Sequence, residues 1–391
     1  MSTKEEEVQL ATAATTANSI DAVQYIWRCW RYLGMHPTKR CRWLYLTISL
    51  LVNLFTGIIY PSLYLASFFL PIDFDDKLAN LSVVLPLLYT AGKQIIMFYY
   101  IQTELPNAAQ HLHTLDRYVQ QRPEDIAYLR RIMRYCAWSF LTVFIGFWTA
   151  LIFYGLLGIV RHRLPFEGWM PFDWQNSLGL YFLAGVIELF SVGILLTNAI
   201  CCDTYTVAYL SLLVAHLRIL NARIERLGEC RERSETLHYQ QLVACVEQHR
   251  ECMSYYKCIR GSISGTIFVQ FFSTALGLSV PAVTFVGGDY TLSQMMKFLI
   301  FFSAIIIEVA PSCWLMDEIL LEMRKLTNSM FSCHWHRQNL KFRRSLIIFM
   351  QISQKVEPLL AGNIVPVSLE TFTNIIKFAF SLFTLLNQLK S

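Results

Sequence analysis

Seven long apolar runs separated by polar stretches dominate the chain, over 43–70, 81–101, 138–160, 178 to about 202, roughly 263–286, roughly 298–316 and 368–389. A helix crossing the hydrocarbon core of a bilayer needs about 20 apolar residues. Every run reaches or approaches that length and exceeds that of a strand. In lipid each backbone group must be satisfied within its own segment, which leaves helices. The pattern predicts an all-α polytopic membrane protein with seven transmembrane helices. Between the runs the period changes. Leu210, Leu213, Leu217, Leu220, Ile224 and Leu227 alternate spacings of three and four, as do Leu242, Val246, His249, Met253 and Tyr256. Ile319, Met323, Leu326 and Met330 prolong the sixth run, and "NLKFRRSLIIFMQISQKV" adds an amphipathic helix that Pro358, Gly362 and Pro366 bring to an end. Seams of this period bury apolar side chains in water. They predict a cytosolic helical assembly region made by extensions of helices four to seven.

Charge sets the expected orientation. Lys and Arg number 33, of which 26 fall in the N-terminal segment and in the 102–137, 216–262 and 318–366 stretches. The alternate side holds five, namely Lys77, Arg161, Arg163, Lys297 and Lys390. The cationic side is cytoplasmic, so the N-terminus is expected inside the cell and the C-terminus outside. The expected segments are a cytoplasmic N-terminal piece (1–42), helices one to four (43–202), a cytosolic extension (203–262), helices five and six (263–316), a cytosolic anchor (317–366) and a last helix (367–391). "MSTKEEEVQLATAATTANSI" is acidic and then small and polar, unlike a signal peptide. It reads as a disordered tail, and the first span acts as its own targeting signal. Composition agrees with a lipid environment: 54% hydrophobic and 16% charged, with mean hydropathy +0.39, against about 25% charged in soluble domains.

Several function classes lose support. Asp116-Arg117-Tyr118 spells the tripeptide that closes a helix in rhodopsin-like G-protein-coupled receptors, but here it follows "TELPNAAQHLHTL" in a polar linker and closes no span. It reads as a solvated turn of an amphipathic helix. Those receptors also thread the membrane in the opposite sense, so that class remains only as the rival reading. All eleven cysteines lie outside the expected outer loops 71–80, 161–177 and 287–297, where a disulfide would form. Cys333-His334-Trp335-His336 and His111-Leu112-His113 lack a second half at zinc spacing, so no metal is expected. No phosphate loop, nucleophile elbow or zinc-protease motif occurs, no nucleic-acid motif accompanies the net charge of +5, and seven spans do not divide into the repeats of a transporter. The chain is expected to be neither an enzyme nor a carrier of any cofactor.

"SLETFTNIIKFAFSLFTLLNQLKS" (368–391) and the preceding "PLLAGNIVPVS" resemble the C-terminal signature of insect odorant receptors. The inverted seven-span layout, the length and Lys93 in span two fit the same resemblance. The sister gustatory receptors carry Thr-Tyr and Gln-Phe pairs in this span, where the chain reads "ETFTNIIKFAF", and they rank second. The resemblance implies a ligand-gated, non-selective cation channel in the plasma membrane of a sensory neuron dendrite. It implies four subunits around one pore lined by the outer part of the seventh span, with an odorant-binding subunit joined to a shared co-receptor subunit in a heterotetramer. It places Leu385 and Leu389 at hydrophobic gate positions and Gln388 at a polar pore-lining position. Absence of the co-receptor's long cytosolic insertion, and the presence of Lys377 and Asn387, favour the odorant-tuning subunit. Independently of the resemblance, Phe378, Leu382, Leu385 and Leu389 recur at helical spacing, and an apolar ring can close a pore by dewetting.

The expected outer halves of spans two, three, four and six hold Tyr89, Thr90, Thr149, Phe153, Tyr154, Tyr181, Phe182, Gly185, Phe298, Phe301 and Phe302. Aromatic walls with a few hydroxyls suit a small, mostly apolar volatile. Charges inside spans default to function. Lys93 lies about 18 Å below the expected outer end of its span, and Glu188 and Glu308 about 15 Å below theirs, at 1.5 Å per residue. Similar depths predict that Lys93 pairs with Glu188. Lys377, in the last span, is expected to point away from a cation pore.

Overall fold

The computed structural model describes residues 17–35, 42–66, 69, 74–120, 122–164, 170–174, 177–229, 234–284, 292–355 and 357–390. The described chain is almost wholly helical. A short 3-10 turn (Ser19–Ala22) leads into α1 (Gln24–Tyr32). A rod follows, made of α2 (Arg42–Leu54), a π-helical turn (Phe55–Ile59) and α3 (Tyr60–Ala66). Then come α4 (Phe74–Thr103), α5 (Leu105–Val119), α6 (Pro123–Arg161), α7 (Leu178–Glu225), α8 (Glu235–Thr284), α9 (Leu292–Ser332) and α10 (Leu340–Ser353). A two-stranded hairpin, β1 (Leu360–Ala361) and β2 (Val365–Pro366), precedes α11 (Leu369–Lys390). Among the described residues, five of these stretches are long and apolar enough to cross a membrane: 43–66, 84–103 and the helices α6, α7 and α8.

The helices outrun the apolar runs that predicted them. α7 has 48 residues and α8 has 50, about 72 and 75 Å at 1.5 Å per residue, more than twice the thickness of a hydrocarbon core. α7 is the axis of the molecule and touches α1, the π-helical turn, α4, α6, α8 and α9. From Asn198 to Leu217 every residue of α7 except Asp203 is buried, the signature of a helix surrounded by others. Five of the six seam positions lie on α7 and Leu227 just past its end; all six are buried, and Ile319, Met323, Leu326 and Met330 of α9 are buried too. We call the end where these extensions pack with α5 and α10 the basal end. There Leu220, Ile224, Leu242, Cys245, Leu326, Phe342, Leu346 and Phe349 form a core of their own.

Two expectations are corrected here. The N-terminal tail does not extend through residue 20. Ala17 and Ser19 are buried, and the 3-10 turn packs on α5 and α6. Asp116, expected in solvent, is 3% exposed. Its Oδ2 accepts from the Ser19 backbone N–H at 2.8 Å and its Oδ1 from the Ser19 hydroxyl at 2.6 Å. His216 Nε2 of α7 stands 3.7 Å from the same carboxylate. The local polarity around Asp116 masks a tertiary role, because its partner lies 97 residues away in sequence. Burial raises the Asp116 carboxyl to about 6, with the Ser19 hydrogen bonds opposing the rise.

The break at Pro358–Pro366 is a hairpin and not only a loop. Leu360 pairs with Pro366 and Ala361 with Val365, and Gly362 and Asn363 both take positive φ, 58° and 59°, as a tight primed turn requires. The Gly362 N–H donates to Ser264 O, and the Ser264 hydroxyl to Leu360 O at 2.5 Å. The hairpin thereby pins the start of α11 to α8.

Candidate functional site

The four charged candidates differ in their surroundings. Lys93 on α4 is 1% exposed, and its Nζ donates to Asp203 Oδ1 of α7 at 2.6 Å. The expected pairing with Glu188 is not formed. α4 begins at Phe74, seven residues before the apolar run, so Lys93 lies about 10 Å deeper from the helix start than the run implied. Asp203 is fifteen residues beyond Glu188 on α7, about 22 Å along the axis, and it takes the ammonium. Lys93 also lies 5.0 Å from the centroid of the Tyr89 ring, within cation–π range. Glu188 is fully buried and accepts from the Tyr64 hydroxyl at 3.2 Å, which is itself 3.1 Å from the Tyr60 hydroxyl. These tyrosines sit on the rod just beyond its π-helical turn. Glu308 on α9 accepts from Gln270 Nε2 of α8 at 2.9 Å. Lys377 is exposed along α11.

Lys93, Asp203, Gln270 and Glu308 therefore join α4, α7, α8 and α9 through polar groups at one level. Reading the sequence missed Asp203, Gln270, Tyr60 and Tyr64. Asp203 stands at the edge of an apolar run and was assigned to the extension. An acid directly after a fully apolar stretch, facing a lysine on a neighbouring span, is the signal that could have found it.

The described aromatic candidates stand in different surroundings. Tyr89 is half-buried and Thr90 buried beside Lys93. Tyr181 is half-buried and donates its hydroxyl to Gly158 O at 3.1 Å, in a cluster with Leu164, Met170, Ala184 and Trp174. Phe302 is half-buried against the main core, and Gly185 has no atom within contact distance of the place a Cβ would occupy. Phe153, Tyr154 and Phe182 are exposed by 64%, 48% and 50%, and Thr149, also exposed, donates to Ile145 O of its own helix. They face outward from α6 and α7. The backbone of Phe298 and Phe301 falls in α9, and that of Leu385 and Leu389 in α11, but their side chains lie outside the described set. Gln388 is exposed on α11.

The chain resembles known proteins over nearly its whole length. It is 28% identical over 393 residues to odorant receptor 2a of Drosophila melanogaster, covering 95% of this chain and 98% of the relative. It is 26% identical to putative odorant receptor 59c of the same organism, covering 98% and 94%. Among solved structures it superposes on the olfactory receptor OR5 of Machilis hrabei with a TM-score of 0.76 at 17% identity, covering 94% of this chain and 97% of that one. The complex of that receptor with eugenol gives 0.74 over 95% and 100%. The family described as 7tm Odorant receptor matches residues 73–380. A helical membrane protein aligned in this way across more than three quarters of its length is a receptor and not an enzyme, and the chain belongs to the 7tm odorant receptor family.

Proposed function

We propose that the chain is the odorant-binding subunit of a ligand-gated, non-selective cation channel, formed with a shared co-receptor subunit in a heterotetramer. It crosses the plasma membrane of a sensory neuron dendrite seven times, with the N-terminus and the basal end in the cytosol and the C-terminus outside. The observation that carries this reading is the state of α11. In the single chain it packs on α8 and α9, while Phe378 and Phe380 are exposed by 57% and 64% and Gln388 is exposed further along. A last helix held on one side, with exposed side chains among its described residues, suits a position between the subunit body and a central pore. Leu385 and Leu389 form the hydrophobic constriction in this reading, with Gln388 beside them.

The ligand is a small, mostly apolar volatile. Its pocket lies in the outer halves of the helices, with Tyr89, Thr90, Tyr181 and Phe302 on inward faces and open space at Gly185. Phe298 and Phe301 belong to the same candidate set, as do Thr149, Phe153, Tyr154 and Phe182, which meet lipid or a neighbouring subunit. The relation to a receptor solved with eugenol supports this ligand class. The basal core, with α10 at its surface, is the cytosolic assembly region.

Currents recorded from cells expressing the chain with and without a co-receptor, against a panel of volatiles, test the proposal. Odorant-evoked cation current is expected only with both subunits, and Leu385→Ala with Leu389→Ala should raise the current without odorant. A C-terminal epitope should stain on intact cells. Staining only after permeabilisation would support the G-protein-coupled rival and overturn the channel reading.

A further inference from the structure

Asp203, Thr206, Thr266, Gln270, Glu308 and Ser312 line a cleft between α7, α8 and α9, with room for a body the size of one water molecule. It opens beside the Lys93–Asp203 pair, whose lysine also lies over the Tyr89 ring. Charge across it does not balance. The Lys93 ammonium neutralises one carboxylate at 2.6 Å, and the second, Glu308, has a neutral amide as its hydrogen-bond partner. With Glu308 ionised, one net negative charge is left in a low-dielectric interior, where an unpaired charge is costly.

Gln270 supplies the second observation. It is 6% exposed, and its Nε2 is committed to Glu308 Oε2. Turning the amide over would set its oxygen against the ionised Glu308 carboxylate. Its Oε1 is left buried at the cleft wall with no partner. The Thr206 and Thr266 hydroxyls already donate to helix carbonyls, Cys202 O and Ser262 O, so they turn oxygen lone pairs outward. The cleft thus presents carboxylate, amide and hydroxyl oxygens, with Ile267 and Val309 completing its wall.

We propose that this cleft binds a small monovalent cation, sodium by size and hardness. An all-oxygen site selects hard cations. A single net negative charge matches a monovalent ion, and among the described residues no three His, Cys, Asp or Glu side chains converge as a divalent site would favour. The bound ion ties α7 to α8 and α9 at the level of the Lys93 pair.

The test needs no conduction, so its outcome is separate from that of the channel reading. The purified full-length chain in lipid nanodiscs is melted in sodium chloride and in choline chloride at equal ionic strength. Sodium is expected to raise the melting temperature saturably, by about 2–4 °C. Glu308→Gln, which keeps a partner for Gln270, should abolish that rise, and so should Gln270→Ala. Sodium NMR line broadening by the unsubstituted protein, reversed by lithium, reads the same site should either variant fail to fold. An equal shift in choline, a sodium shift that survives both substitutions, or an acid-induced shift that Glu308→Gln removes while sodium itself has no effect would overturn the proposal. The last would mean that a proton on Glu308 neutralises the cleft.

Discussion

Removing the Lys93 ammonium should destabilise the protein more than removing the carboxylate it touches. Lys93 is 1% exposed and Asp203 16%, so neither charge is well solvated. Leaving one partner of a buried pair unpaired costs about 3–5 kcal/mol. The two losses are not equivalent here, because Lys93 feels both Asp203 and Glu308. Lys93→Met leaves two carboxylates facing each other without a cation, and the full cost of about 3–5 kcal/mol is expected. Asp203→Asn leaves the ammonium with Glu308 and an amide acceptor in place, and the expected cost is about 1–3 kcal/mol. The double change removes one positive and one negative charge together. It should be less destabilising than the sum of the singles by about 2 kcal/mol or more. Unfolding of the purified chain by SDS in mixed micelles gives the four stabilities of the cycle. Lys93→Met with Glu188→Gln serves as the comparison, and these should add to within about 0.5 kcal/mol, since Glu188 bonds to Tyr64 instead. Additivity of Lys93 with Asp203, or coupling of Lys93 with Glu188, would refute the assigned pairing.

Three further outcomes follow from the basal end. The docked Asp116 carboxyl titrates near 6 and an undocked one near 4. The docked state therefore binds a proton more readily, so its docking gains strength as pH falls from about 6 to about 4, on the order of 2–3 kcal/mol in all, and is weakest above that window. His113, Asp21, His216 and Tyr255 face the same carboxyl. Hydrogen exchange in residues 17–32, corrected for intrinsic rates, should slow on acidification from pH 7.5 to 5. Asp116→Asn should be slow at both, and faster exchange at the lower pH in the unsubstituted chain would contradict the burial argument. Gly362→Ala meets a left-handed backbone at φ 58° and a Cβ position 2.6 Å from the Phe268 ring, which together should cost about 2–3 kcal/mol in the same unfolding assay. Arg218 contacts Glu318 and the buried Glu322, each at 3.0 Å. As its side chain is 38% exposed, Arg218→Ala should cost only about 1–2 kcal/mol after solvent screening, with partial recovery in Arg218→Lys.

Periodicity carried the reading of the helices further than composition did. The three-and-four spacing from Leu210 to Leu227 marked positions that are all buried, because a helix seam repeats locally whatever it packs against. Pairings across the bundle left no such local trace. The partner of Asp116 is Ser19, and that of Lys93 is Asp203, 110 residues on. Depth estimates from apolar runs failed for Lys93 because α4 begins in the polar "FDDKLAN" stretch. The hairpin at Leu360–Pro366 was invisible as strands, since two-residue strands have no alternation to detect and depend on Ser264 of α8 for support. An aromatic in an apolar run looks the same from sequence whether it faces inward, as Phe302 does, or outward, as Phe153 does.

The uneven packing along α7 bears on how such a subunit could respond to a ligand. From Asn198 to Leu217 nearly every residue is buried, whereas Leu178, Phe182, Leu183, Val186 and Phe190 at the other end are exposed by about half or more. Apolar surface in water drives burial, but lipid-facing helices lack that force and associate through packing and polar contacts. In the proposed orientation the basal core therefore holds the fold, and the outer part of the bundle relies on a few contacts such as Tyr64–Glu188 and Tyr181–Gly158. Motions of low free-energy cost are drawn from the less densely packed part of a structure. In the proposed reading, a volatile that inserts between outer helices has only weak packing to displace there. The polar cluster of Lys93, Asp203, Gln270 and Glu308 lies between that loose region and the rigid base, and it joins α8 and α9, the two helices on which α11 rests. A shift of α7 or α9 in the outer half has to reach α11 either past this cluster or around it. Weakening the cluster without unfolding the base, as Asp203→Asn should do, is expected to change odorant sensitivity while leaving the docking of residues 17–32 intact. Loss of both together would mean that the two ends of α7 are not energetically distinct.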